Sequence, residues 1–138
     1  MPDYLFVYGT LRHHAPRRTV GQQCYQLLQQ HASFIAEGRL QAKLYLVDYY
    51  PGAVISDNPA WQVAGEVYQL KQPALLLAEL DAYEECGPGC TMPTEYLRLQ
   101  QQITLENGEM ISAWVYIYNH PIDHLQQILS GDFLFAEK

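Results

Sequence analysis

The first apolar run of the chain has the pattern of a buried β-strand. Its aromatic residues, Tyr4, Phe6 and Tyr8, fall on one face of an extended segment covering residues 3–8. The aliphatic residues between them, Leu5 and Val7, fall on the other face. Because both faces are apolar, this strand is expected to lie in the centre of a sheet.

Further strand patterns follow at residues 34–47, 50–56 and 61–70, the second of which is short enough to be a turn instead. A glycine inside a strand often marks a bulge, so we expect one at Gly38. In the last of these segments Val63 and Val67 share a face, with Gly65 between them. Residues 95–120 then read as two strands joined at Asn107-Gly108, a dipeptide typical of tight hairpins.

Three segments carry helical patterns. Residues 21–31 place apolar side chains at helical spacing. Pro73 is suited to the first position of a second helix that reaches about Tyr83 or Glu84. A short last helix is expected over residues 122–129, ended by Gly131. Long strands with few helices to cover them predict an α+β fold, with about six strands closing toward a barrel and two or three flanking helices.

Length and composition restrict the classes of partner. A chain of 138 residues predicts a single domain, covering residues 1–138. The net charge of −7, with no stripe of lysine or arginine, argues against a nucleic-acid partner. No apolar run approaches the roughly 20 residues that span a bilayer, and the N-terminus lacks a signal-peptide pattern. We therefore expect a cytoplasmic protein with no membrane partner, and the oligomeric state stays open.

The cysteines and histidines do not form a pattern of known chemistry. Three cysteines make an odd count, and Cys86 and Cys90 have a spacing that is unusual for zinc ligands. His120 and His124 are separated by a proline and are expected at the surface. No phosphate-binding or dinucleotide-binding glycine motif and no serine-nucleophile motif is present. The sequence therefore predicts no metal and no cofactor.

The segment after the first strand is a candidate anion site. Gly9, Thr10 and Leu11 follow the apolar run directly. A glycine there allows close backbone approach, and successive backbone N–H groups in such a turn can bind an anion. The alternative is that Gly9 and Thr10 only turn the chain, and this segment alone does not decide between the two.

A second candidate lies at the end of the helix that begins at Pro73. At about 100° per residue, Leu76, Leu80 and Tyr83 form one face, and Glu84 falls within roughly 40° of its middle. The neighbouring Glu85 falls on the solvent side. An inward carboxylate loses solvation, which raises its pKa toward the range of a general base. A glutamate that turns out to water is the alternative.

Taken together, six ordered motifs resemble the γ-glutamylcyclotransferase-like family, which includes γ-glutamylamine cyclotransferases and AIG2-like proteins. The motifs are VYGTLR near the start, YYPGAV at 49–54, VAGEVYQL at 63–70, LDAYE at 80–84, YLR at 96–98 and AWVYIY at 113–118. The resemblance implies a closed, largely antiparallel barrel with a cavity at one end. It also implies a small-molecule γ-glutamyl substrate that cyclises to 5-oxoproline and releases an amine or an amino acid.

The resemblance also implies roles for particular residues. The loop of Tyr8, Gly9, Thr10 and Leu11 would bind the substrate's α-carboxylate, and Glu84 would be the catalytic residue. Tyr8, Tyr96 and Tyr116 would line the cavity. Many relatives have a glycine after the glutamate where this chain has Glu85, which puts the surroundings of Glu84 in question. The other interpretation is a binding or regulatory module on the same fold, without catalysis.

Overall fold

A computed structural model describes residues 3–8, 26, 28–47, 51–71, 73, 76–77 and 96–132. Their strands are β1 (Asp3–Val7), β2 (Ala32–Leu46), β3 (Pro51–Ile55), β4 (Gln62–Leu70), β5 (Tyr96–Leu105), β6 (Met110–Tyr118) and β7 (Gln126–Gln127). Residues 26 and 28–31 are helical ahead of β2, and residues 73 and 76–77 are helical after β4, in two of the three places where the sequence predicts helices.

Five of these strands close into a barrel. The strand order is β3-β2-β4-β1-β6-β5, and β5 pairs again with β2. That closing contact joins Gly38 to Leu105 and Arg39 to Thr104. Every neighbouring pair is antiparallel except β1 with β6, which is parallel. The predicted α+β fold with a closed, largely antiparallel barrel is therefore confirmed.

β1 lies in the middle of this sheet, between β4 and β6, as its two apolar faces predict. Phe6 and Tyr8 belong to a buried cluster that contains side chains from all five barrel strands and fills the interior. Leu5 and Val7 belong to a second cluster on the outer face, where Leu28, Leu76 and Leu77 from the helical residues cover the sheet. The helices therefore protect the face of β1 that the barrel does not.

The bulge predicted at Gly38 is wrong. Gly38 pairs regularly with Gly65 of β4, and the register of the two strands shifts between Phe34 and Ala36 instead. Gly38 has a different reason to be glycine, because a Cβ there would lie 2.8 Å from Cγ2 of Ile103 and 3.2 Å from the backbone oxygen of Thr104. The residue allows close packing at the seam where the barrel closes.

The helix predicted over residues 122–129 is also wrong. Gln126–Gln127 forms β7, which pairs with Tyr45 and Leu46 of β2, and this makes the sheet seven-stranded rather than six-stranded. The N–H of Ile128 continues the pairing with a 2.7 Å bond to the oxygen of Leu44. A free edge of β2 offers backbone bonds over long range, and no local apolar pattern reveals that edge. Gly131 does end the segment, with a φ of 70°.

The hairpin predicted at Asn107-Gly108 is confirmed. β5 and β6 pair without a register break from Tyr96 and Tyr118 to Thr104 and Met110. Gly108 has a φ of 91°, which explains why a glycine is needed at the turn. Among the described residues, none of the helices is long and apolar enough to cross a membrane.

Candidate functional site

Tyr8 fixes the point at which the chain leaves β1. Its hydroxyl donates to the backbone oxygen of Tyr116 at 2.5 Å. The same hydroxyl accepts a bond from the backbone N–H of Ala53 at 3.1 Å. Because Tyr8 is 5% exposed, both bonds are shielded from water. The end of β1 is therefore tied to β6 on one side and to β3 on the other.

Tyr96 holds β3 from a second direction. Its hydroxyl donates to the backbone oxygen of Pro51 at 2.6 Å. Its ring meets the ring of Tyr118 edge to face, with centroids 5.6 Å apart. Two buried tyrosines from distant parts of the chain thus bind the short segment Pro51–Ala53.

Gly52 allows β3 to lie this close. A Cβ at Gly52 would stand 2.8 Å from both Cβ and Cγ of Tyr118. Real Cβ contacts are essentially never this short, so a side chain would push β3 away from β6. This segment belongs to one of the family motifs but was not predicted as part of a site. The signal was present, since a proline and a glycine interrupt an otherwise apolar strand.

The structure brings Tyr8, Tyr96 and Tyr116 to one end of the barrel. The hydroxyls of Tyr8 and Tyr96 bind backbone groups of β6 and β3, so both have a supporting role in the fold. Tyr116 is 4% exposed and belongs to the outer-face cluster. The other predicted site residues lie outside the described part of the chain, and they are Gly9, Thr10, Leu11 and Glu84.

One row of residues crosses the outer face of the sheet at this end. Leu5 of β1 pairs with Trp114 of β6, so Val7 lies beside Tyr116 two residues further along both strands. On its other side Val7 pairs with Glu66 of β4. Beyond Tyr116, the row continues to its partner Arg98 on β5. We call Glu66, Val7, Tyr116 and Arg98 the outer row.

Glu66 is a site candidate that sequence reasoning missed. It is 5% exposed, and among the described residues it is the one charged residue that is buried. The hydroxyl of Tyr68 donates to its Oε1 at 3.2 Å. Gln29 Nε2 in turn donates to the Tyr68 hydroxyl at 3.4 Å. The alternation of side chains along β4 could have indicated it, because Glu66 and Tyr68 share the face opposite to Val63 and Val67.

Arg98 is the basic member of the outer row. Its guanidinium lies over the ring of Trp114, with Cζ 4.5 Å from the ring centroid. His120, which was expected at the surface, is half-buried, and its ring centroid lies 5.8 Å from that of Tyr118. His124 is exposed, as predicted. Among the described residues no group of three or more His, Cys, Asp or Glu side chains is placed to hold a metal ion. The arrangement presents opposite charges on either side of β1, next to the start of the candidate anion loop.

Comparison with known proteins supports one family. The family described as gamma-glutamyl cyclotransferase, AIG2-like matches residues 5–135. The gamma-glutamylcyclotransferase family protein YtfP of Escherichia coli K12 is 36% identical over 135 residues, which cover 97% of this chain and 98% of that protein. The NMR structure of Escherichia coli YtfP superposes with a TM-score of 0.62, at 34% identity over 98% of this chain and 99% of the other.

A more distant structure shows the same fold. The crystal structure of an AIG2-like protein from Mus musculus has a TM-score of 0.68 and 21% identity. The match covers 99% of this chain and 84% of the mouse protein. At this identity the likeness concerns the fold alone, and it agrees with the barrel described above.

Proposed function

The chain belongs to the γ-glutamyl cyclotransferase, AIG2-like family, and we propose from this premise that it is a γ-glutamyl cyclotransferase-type enzyme. Its substrate is a small molecule in which a γ-glutamyl group is joined to an amine or an amino acid through an amide. Its products are 5-oxoproline and the released amine or amino acid. A cytoplasmic location is part of the proposal, since such conjugates are small metabolites.

The reaction needs no nucleophile from the protein. The substrate's own α-amino nitrogen attacks its γ-carbonyl carbon, so a C–N bond forms and closes a five-membered lactam. The amide C–N bond then breaks, and the leaving nitrogen takes a proton. Intramolecular attack already has a large effective molarity, so the enzyme must mainly fold the substrate and move protons. In this scheme the chemistry requires neither a metal nor a cofactor.

The proton transfers are assigned to Glu84. At neutral pH the α-amine is largely protonated, and an ammonium has no lone pair with which to attack. Glu84 accepts that proton and later donates one to the leaving nitrogen, so that no net proton is consumed. The backbone N–H groups of Gly9, Thr10 and Leu11 bind the α-carboxylate, and Tyr8, Tyr96 and Tyr116 form the wall beside them.

The observation that carries the proposal is the anchoring of Tyr8. Its hydroxyl holds the end of β1 to Tyr116 and Ala53, so the loop that follows starts from a fixed backbone position. Backbone donors bind an anion well only when they are preorganised, that is, when they are already oriented before the anion binds. Binding then does not have to order them. A rigid start to the loop is what this role of Gly9–Leu11 requires.

The test is a search for the product. The purified protein is incubated with a panel of γ-glutamyl amino acids and γ-glutamyl amines, and 5-oxoproline is measured by mass spectrometry. We expect 5-oxoproline and the free amine in equal amounts from at least one member of the panel. If panel members bind, as measured by calorimetry, but none is converted, the chain is a binding module and the proposed reaction is wrong.

A further inference from the structure

The turn between β5 and β6 contains the one asparagine of the chain that is followed by a glycine. The chain has three asparagines, Asn58, Asn107 and Asn119, and the residues after them are proline, glycine and histidine. Asn107 and Gly108 are both exposed. A Cβ built on Gly108 would meet no atom within 4 Å, so the space beside this residue is open. Water and neighbouring backbone atoms can therefore reach both residues.

An asparagine side chain can be attacked by the backbone nitrogen of the next residue. The Gly108 nitrogen loses its proton and bonds to Cγ of Asn107, while the bond from Cγ to Nδ2 breaks and Nδ2 leaves as ammonia. The product is a five-membered succinimide ring, which water opens at either carbonyl to give aspartate or isoaspartate. Glycine favours this attack most, because it has no Cβ to hinder the approach.

The other two asparagines are poorer targets for this reaction. The nitrogen of Pro59 carries no proton to lose, so it cannot close the ring on Asn58. The residue after Asn119 is His120, which has a Cβ and whose ring lies edge to face with that of Tyr118 at 5.8 Å between centroids. The sequence and the exposure of the turn therefore both select Asn107.

Hydrogen bonds of the turn hold both reacting groups in the folded protein. The N–H of Gly108 donates to the backbone oxygen of Leu105 at 2.9 Å. The Oδ1 of Asn107 accepts from the backbone N–H of Glu109, also at 2.9 Å. Loss of the Gly108 proton removes the first bond, and the Asn107 side chain cannot rotate while the second remains. The attack is therefore slower while the turn is closed than when it is open.

The same turn lies beside the seam that closes the barrel. Leu105, which accepts the bond from Gly108, also pairs with Gly38 of β2. The N–H of Glu106 donates to the backbone oxygen of Glu37 at 3.1 Å, which adds a further bond between the turn and β2. A change in the backbone of the turn therefore acts directly on the contact between β2 and β5.

We propose that Asn107 is a site of spontaneous deamidation, that opening of the turn controls its rate, and that the isoaspartate product weakens the closure of the barrel. Isoaspartate continues the backbone through Cβ and Cγ, so the turn gains a backbone atom next to the seam. Both products also place a negative charge between Glu106 and Glu109, which are exposed acidic residues, and like charges repel. The inference does not depend on the proposed reaction.

The first experiment compares deamidation in the folded and unfolded protein. Samples are kept at neutral pH and physiological temperature, with and without enough urea to unfold the chain, and peptide mass spectrometry follows each asparagine. We expect Asn107 to react first in both samples, and about tenfold more slowly in the folded one, the scale of the hydrogen bonds that must break. Equal rates in the two samples would show that the turn does not control the reaction. No reaction at Asn107, or a faster one at Asn58 or Asn119, would show that the site is wrong.

Two variants test the reacting groups. Gly108→Ala puts a Cβ on the attacking residue and should slow the reaction at Asn107 in urea, where the altered turn has no influence. Asn107→Gln is the matched control, because its longer side chain has to close a less favourable six-membered ring, and position 107 should stay unmodified over the same period. If Gly108→Ala reacts in urea as fast as the unaltered chain, open access to the nitrogen of residue 108 does not set the rate, and the choice of Asn107 is wrong.

Thermal melting tests the connection to barrel closure. Aged protein is separated by ion exchange into its unaltered, aspartate and isoaspartate forms, and each form is melted. The isoaspartate form should melt at a clearly lower temperature than the aspartate form, because only isoaspartate lengthens the backbone beside Leu105. Asn107→Asp is the control for the added charge alone. Equal melting temperatures for this variant and the isoaspartate form would show that modification of the turn does not affect the seam.

Discussion

Two hydrogen bonds between the end of β1 and other strands depend on the hydroxyl group of Tyr8. Tyr8→Phe removes the donor to the oxygen of Tyr116 and the acceptor for the N–H of Ala53. Buried groups left without partners cost about 1–3 kcal/mol, so we expect the free energy of unfolding to fall by that amount. Urea denaturation followed by circular dichroism measures it.

Tyr4→Phe is the control for this prediction. Tyr4 lies on the same face of β1 as Tyr8 and is partly buried. Its replacement should change the free energy of unfolding by no more than about 0.5 kcal/mol, as is usual away from specialised contacts. Equal losses for the two variants would mean that the Tyr8 hydroxyl does not anchor the site.

Glu84 is the residue on which the proposed proton transfers depend. Glu84→Gln keeps the size of the side chain but removes its ability to accept a proton. We expect kcat for 5-oxoproline formation to fall by about 10²–10⁴, the usual scale of general acid–base catalysis. Binding of a non-cyclising analogue should change little.

Glu85→Gln is the matched control, since Glu85 is the next residue and is predicted to face solvent. It should keep nearly full turnover. If Glu85→Gln abolishes turnover and Glu84→Gln does not, the predicted helix phase is wrong by one residue. If both variants remain active, the proton transfers depend on another group.

At the scale of elements, glycines set how closely strands approach one another. A Cβ at Gly65 would lie 2.4 Å from the backbone oxygen of Val7 and 2.5 Å from Cζ of Phe6. Gly65→Ala must therefore move β4 away from β1, and we expect a loss of about 1–3 kcal/mol in the free energy of unfolding, as for other overpacked cores. Urea denaturation measures this loss.

Gly108 provides the comparison for Gly65. It has open space around it but a positive φ of 91°. Asparagine adopts positive φ more readily than most residues, so Gly108→Asn should cost clearly less than Gly65→Ala. The reverse order would show that backbone conformation in the hairpin, and not space between β1 and β4, limits stability.

The elements also show where prediction from sequence succeeds. β1, β4 and the β5–β6 hairpin follow from alternation and from Asn107-Gly108, because these signals are local. β7 does not, because Ile122, Leu125 and Ile128 suit a short helix and the choice depends on the free edge of β2. The reason for a glycine at position 38 could not be predicted either, because its close neighbours, Ile103 and Thr104, are distant in sequence.

At the scale of the whole molecule, closure of the barrel rests on a short seam. Only two residue pairs join β2 to β5, whereas nine join β5 to β6. Long strands with few helices indicated a closed sheet, but no feature of the sequence identified which strands meet. The choice is made by the twist and length of β2, which pairs with β4 and β5 and then continues to β3 and β7.

The sequence by itself determined the family, through the order of its motifs along the chain, and most of the strands, because alternation is a local pattern. The role of the loop after β1 stays a prediction from the sequence. Only the tertiary structure decided that Tyr8 and Tyr96 both hold Pro51–Ala53, since their partners lie 45 residues away along the chain. It also decided that Glu66 and Arg98 stand in one row. Such contacts depend on strand register, which is set when the whole barrel packs and which no local pattern contains.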